Sequence, residues 1–115
     1  MRMWNVPTAW LCRQHLLGEH VEMHMFAGAI LKGSDLAGYI ERGLVTPRQI
    51  PARHTQLAEE LVRRGYHHKS PLQDIPHDRL PVGRVDTRKN VAELMRRCPE
   101  CRDRIEDAKR CSTKI

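Results

Sequence analysis

The helix-forming stretch Gln14–Glu22 and its flanks constrain this chain more than any other feature. Leu11, Leu16, Leu17, Val21, Met23, Met25, Phe26, Ala29, Ile30 and Leu31 surround it. A helix apolar on most of its sides is expected in an interior. His15, Glu19 and Glu22 stand at helical spacing and project from one face. Carboxylates on a buried helix are costly unless they are paired or put to work. Two readings therefore stand side by side, satisfied structural acids and a functional site.

The remaining punctuation predicts an all-α fold: a compact single domain of about three main helices with long ordered loops. Thr8 is placed as N-cap of a helix running to about Lys32, with Gly33 as the residue that ends it. Gly18 and Gly28 lie inside it, each at a cost of about 1 kcal/mol against Ala, so each is expected where a backbone or ligand approaches closely. Ser34-Asp35 caps a short helix ending at Gly43, and Pro51 opens a second main helix that stops at Gly65. His54, Leu57, Ala58 and Leu61 form its inner face, with His54 read as structural. Pro71, Pro76, Pro81 and Gly83 forbid a long element between residues 66 and 85. Asp86-Thr87 starts a third helix, which Pro99 ends or kinks unless it begins a new turn, and the charged tail from Glu100 is helical in composition.

With 115 residues one domain is expected, read as 1–115 with a core over 1–85 and a helical region over 86–115. The net charge of +6 favours an anionic partner, nucleic acid first. Five residues are Phe, Trp or Tyr, too few for broad stacking on single strands. No run of 18 apolar residues suggests a membrane span, and the start lacks a signal-peptide core, so a cytoplasmic location is expected. Cys12, Cys98, Cys101 and Cys111 are then reduced thiols or metal ligands rather than disulfides.

Three blocks carry a resemblance. Asn5-Val6-Pro7, the run Gln14 to Glu22, and Phe26-Ala27-Gly28-Ala29 are joined by Arg53-His54 through Leu57-Ala58-Glu59-Glu60 to Arg63-Arg64-Gly65-Tyr66. In that order they resemble the pyrimidine-dimer DNA glycosylase family, of the phage endonuclease V type, over roughly residues 3 to 72. The resemblance implies a DNA repair glycosylase with abasic-site lyase activity on damaged or modified pyrimidines. It implies double-stranded DNA with a damaged or abasic nucleotide as partner, a monomer, and no cofactor.

It further implies that the amine at the chain's start attacks the sugar C1′ and that Glu22 is the acid/base. Two departures stand out. A small residue follows the initiator Met in the family, whereas here residue 2 is Arg. The nucleophile is therefore sought at Met1, with a bend over Met1-Arg2-Met3, or at Arg2 once exposed by another route; loss of lyase chemistry is the third alternative. Where the family places arginines beside and one turn after the catalytic Glu, this chain has Val21 and Met25. More of the backbone contact then falls to Arg2, Arg13, Lys32 and the tail arginines, and Asn5, Gln14, His15 and the loop residues His67, His68 and Lys69 complete the expected DNA-binding set. The alternative function is a non-catalytic basic DNA-binding protein of the same fold, zinc-stabilised or not.

Two metal questions are independent of the resemblance. Cys98-Pro99-Glu100-Cys101 resembles a zinc knuckle, and Cys12 and Cys111 would complete four ligands if the tail folds back on the first helix. Zinc, unmetallated thiols and an iron–sulfur cluster are the alternatives. His20 and His24, at i,i+4, form either a metal pair or a polar helix edge.

Overall fold

The computed structural model describes residues 1–112, with side chains described to Arg110. Five α-helices and no strand occur among the described residues: α1 (Arg13–Leu31), α2 (Ala37–Glu41), α3 (Ile50–Arg63), α4 (Thr87–Arg97) and α5 (Pro99–Ser112). The all-α expectation holds, and the charged tail adds a further full helix.

Helix α1 starts later than expected. Thr8–Trp10 is a separate 3-10 turn, the chain is extended at Leu11, and Cys12 is the N-cap, its sulfur accepting from the His15 amide. Thr8 does not cap because its hydroxyl donates to Glu60 Oε1 at 3.3 Å. The other boundaries follow local chemistry. Gly33 (φ +79°) and Gly65 (φ +93°) occupy the left-handed region that ends a helix, open to Gly at no steric cost. The Asp86 carboxylate caps α4 by accepting from the amides of Arg88 and Lys89. Pro99 begins α5 at a position where its missing N–H costs nothing.

Helices α1 and α3 form the central pair, with Leu16, Met23, Phe26 and Ile30 from α1 and Ile50, Leu57 and Leu61 from α3 in the core. Burial of each such large side chain contributes roughly 1.5–3 kcal/mol. Helices α4 and α5 form a hairpin that adds Leu94, Cys101 and Ile105, and α5 rests on the Thr8–Trp10 turn, where Arg104 Nη1 donates to the Ala9 carbonyl at 2.9 Å.

Helix α1 is not buried on every side, as its composition suggested. Val21 and Met25 are 54% and 51% exposed, because His20, Met23 and Ala27 face the interior in their place. Apart from its own helix backbone, nothing lies within 4 Å of where a Gly18 Cβ would be, so Gly18 opens onto the cleft rather than onto another backbone, while Gly28 meets only the Gln73 side chain, at 3.8 Å.

The first six residues thread through this frame. Met3, Trp4 and Val6 are buried, Met3 N donates to the Leu44 carbonyl at 2.7 Å, and Asn90 Nδ2 donates to the carbonyls of Met3 and Trp4 at 3.2 and 2.7 Å. Asn90 thus ties the chain's start to α4 with a buried amide whose partners are satisfied.

Candidate active site

The threaded start brings Met1 and Arg2 over the polar face of α1. They share an open cleft of about 420 Å³ with Gln14, His15, Gly18, Glu19 and Glu22. The three residues grouped on one helix face by their spacing do line one cleft, but they occupy different environments.

Glu19 is committed to structure. It is 1% exposed, and Arg53 grips both oxygens, Nε to Oε2 at 2.6 Å and Nη2 to Oε1 at 2.8 Å. The Asn5 amide donates to Oε2 at 3.3 Å from a residue held at φ +52°, a conformation Asn tolerates better than most. Arg53 is completed by the Val6 carbonyl at 2.7 Å and Gln56 Oε1 at 3.2 Å. This network fixes the bend at Asn5 that aims Met1 and Arg2 at the cleft.

Glu22 has no guanidinium within salt-bridge reach. Its Oε2 accepts from the Arg2 backbone amide at 3.1 Å. Burial pushes its carboxyl above the ordinary value; the Arg2 amide and the positive charge at the chain's start pull it back, and Glu19 adds to the rise. A half-buried carboxylate poised this way against the chain's start suits proton transfer.

The wall opposite α1 is aromatic and cationic. The Arg2 guanidinium lies 4.2 Å from the centre of the Trp4 ring and Arg97 lies 5.1 Å from it. Arg2 Nη2 also donates to Asn90 Oδ1 at 2.8 Å, so its side chain is held inward. Burial and the neighbouring Arg97 both lower the Arg2 pKa, the mark of two cations crowded together. Such a pair attracts an anion. Trp4, Asn90 and Arg97 were not singled out by sequence reasoning; Trp4 directly before Asn5, in a chain poor in aromatics, was the available signal.

The other residues expected to meet DNA are scattered. Asn5 Nδ2 donates to Gln49 Oε1 at 2.7 Å, and Arg13 is exposed, with its guanidinium 5.6 Å from the Tyr66 ring centre. Gln14 is exposed at the cleft edge. Lys32 caps the far end of α1, about 15 Å along the axis from Glu22 at the helical rise per residue. His67 and Lys69 are exposed, whereas His68 turns inward, its Nε2 3.0 Å from that of His20. His15 faces away from solvent in part: its Nδ1 lies 3.2 Å from Cys12 Sγ and 3.6 Å from Cys101 Sγ, and its ring meets Trp4 edge-on at 5.7 Å. Among the candidate cysteine ligands, Cys12, Cys98 and Cys101 come together, while the side chain of Cys111 lies outside the described residues.

No helix among the described residues is long and apolar enough to cross a membrane. No curated protein and no solved structure matches the chain. The family of pyrimidine dimer DNA glycosylases matches it over residues 1–74, which takes in the threaded start, α1, α3 and every cleft residue named above except Asn90 and Arg97. With a family match over most of its length and its start folded against Glu22, this chain belongs to the pyrimidine dimer DNA glycosylase family.

Proposed function

We propose that this protein is a DNA glycosylase with abasic-site lyase activity on damaged or modified pyrimidines, with an amine at the chain's start as nucleophile and Glu22 as acid/base. The observation that carries the reading is the placement of the Met1-Arg2 backbone against Glu22, with the Arg2 nitrogen 3.1 Å from Oε2. An α-amine has an unperturbed pKa of about 7.7–8.0, so a useful fraction is neutral at physiological pH. It attacks C1′ of the extruded nucleotide, the glycosidic bond breaks, and the base leaves with a proton. The sugar ring opens to a Schiff base, assisted by proton transfer through Glu22. Loss of the C2′ proton then expels the 3′ phosphate by β-elimination.

Arg97 and Arg2 supply positive charge at the cleft wall, in place of the arginines that Val21 and Met25 replace. Arg13, Gln14, Lys32, His67 and Lys69 are read as contributors to the DNA-facing surface, while His68, turned toward His20, is read as part of the interior. In this reading residues 1–85 form the glycosylase core and residues 86–115 a helical addition braced against it. The protein acts on duplex DNA as a monomer in the cytoplasm.

Borohydride reduction in the presence of duplex DNA with an abasic site tests the chemistry. A covalent protein–DNA adduct is expected. Binding with no adduct selects the second reading, a non-catalytic DNA-binding protein of the same fold. One observation favours that reading: the nitrogen touching Glu22 is the peptide nitrogen of Arg2, which is not itself nucleophilic.

A further inference from the structure

We propose that Cys12, His15, Cys98 and Cys101 bind one structural zinc ion that locks the α4–α5 hairpin to the start of α1. The four donor atoms all lie within 4.8 Å of one another. Cys12 and Cys98 sulfurs are 3.9 Å apart, and His15 Nδ1 lies 3.2 Å from Cys12 Sγ and 3.6 Å from Cys101 Sγ. Tetrahedral zinc with bonds of about 2.3 Å to sulfur and 2.0–2.1 Å to nitrogen sets ligand edges of roughly 3.5–3.8 Å. The 3.6 and 3.9 Å separations lie close to those edges, and the 3.2 Å one is somewhat shorter. The 3.9 Å between the Cys12 and Cys98 sulfurs is nearly twice a disulfide bond of about 2.05 Å.

The backbone is arranged for thiolates. The amides of His15, Cys12 and Cys101 donate to the sulfurs of Cys12, Cys101 and Cys98 at 3.4, 3.2 and 3.4 Å. Each sulfur therefore receives one N–H, the second-shell support that metal-bound thiolates use. Three thiolates and an imidazole are a zinc donor set. Four protein ligands leave no open position, which makes the site structural rather than catalytic. The fourth ligand of this set is His15, and Cys12-His15 at i,i+3 across the N-cap of α1 supplies half the site. Zinc there would also fix His15 against Trp4 and so hold one wall of the cleft.

Metal content of the full chain, purified without chelator, tests this independently of catalysis. Zinc with Cys12, Cys98 and Cys101 protected from alkylation until a chelator is added is the expected result. Cobalt exchange should give thiolate-to-metal charge transfer. Cys101→Ser and His15→Ala should each lose this metal, and Cys111→Ser should keep it. If a variant fails to fold, the protection assay on the unaltered chain still decides. Free alkylation of the three thiols in the native protein, or loss of zinc on Cys111→Ser, overturns the assignment.

A second, separate cluster supports a second metal. On the other side of α1, His20, His54 and His68 bring their ring nitrogens within 4.8 Å of one another, with His24 Nε2 3.1 Å from His54 Nε2. The rings pack at centroid distances of 4.8–5.1 Å. His24 Nδ1 is 3.2 Å from Gln73 Oε1, which accepts its N–H and leaves Nε2 a lone pair toward the cluster. We infer that these imidazoles bind a divalent transition metal of the zinc, nickel or copper group, which nitrogen donors favour. The full chain should then bind two metals, and His54→Ala and His68→Ala should each lower this to one while keeping the cobalt–thiolate band. A single bound metal in the native chain, with no further uptake when excess zinc or nickel is titrated calorimetrically, overturns it.

Discussion

The Arg2 amide donates to the Glu22 carboxylate at 3.1 Å, across 20 residues of sequence and on the cleft side of α1. That contact fixes where the chain's start lies relative to the acid. Among the described residues no side-chain cation forms a salt bridge with Glu22.

Glu22→Gln should lower strand cleavage by about 10²–10⁴-fold, the usual weight of a positioned acid or base. The amide side chain keeps the shape and the acceptor oxygen toward Arg2, so the fold and DNA binding should persist. Cleavage of abasic duplex at the unaltered rate would make Glu22 structural.

The pH dependence follows from the same carboxyl. As proton acceptor Glu22 must be ionised, and burial first, with Glu19 adding, holds its pKa above the ordinary 4.5. Below that raised value the group is protonated and cannot accept, so the elimination step should slow as pH falls through a point above 4.5. Single-turnover kinetics on preformed abasic sites reads this limb, and an elimination limb at or below the ordinary carboxylate value would contradict the burial of Glu22.

Arg53→Met should cost about 3–5 kcal/mol of stability in urea unfolding, because it leaves the fully buried Glu19 carboxylate without its cation. Arg53→Lys should recover only part, since an ammonium cannot bridge both oxygens. A loss under about 1 kcal/mol for Arg53→Met would show that the fold does not depend on the Arg53–Glu19 pair.

What was legible in the sequence was local. Gly33, Gly65 and Asp86 marked helix ends because φ and capping needs are set by neighbouring residues. Arg53-His54 was visible as part of a block, but not its split into an ion pair on Glu19 and a ring beside His20, which depends on how α3 lies on α1. Cys98-x-x-Cys101 pointed to a knuckle, yet the partner was sought in another cysteine. The i,i+3 pair Cys12-His15 was the overlooked signal. The wall of Trp4, Asn90 and Arg97 joins positions more than 80 residues apart, and no period or motif encodes such a meeting.

Duplex binding should weaken with salt, by about 0.9 in log affinity per log salt for each phosphate neutralised. Val21→Arg and Met25→Arg should each steepen that slope by about one phosphate's worth, because both positions are half exposed on α1 near Glu22. Fluorescence anisotropy across a salt series gives the slope directly. An affinity indifferent to salt would rule out a surface that tracks the backbone.

Blocking the amine at the chain's start should abolish both adduct trapping and cleavage. No lysine precedes Lys32, which lies about 15 Å along α1 from Glu22, and Lys69 is on the exposed loop after α3. Thiols give no Schiff base, and Cys12, Cys98 and Cys101 are gathered with His15 rather than with Glu22. The positive charge at Met1 acts on Glu22, so the amine and the acid are already within electrostatic reach of each other. Mass analysis of the mature N-terminus should identify whether Met1 or Arg2 carries the amine, and the reduced adduct should map to that same residue. Acetylation, or an uncleaved N-terminal extension, should remove the adduct while leaving duplex binding within a few-fold. An adduct mapped to Lys32 or Lys69 would move the nucleophile to a side chain and overturn the role given to the chain's start.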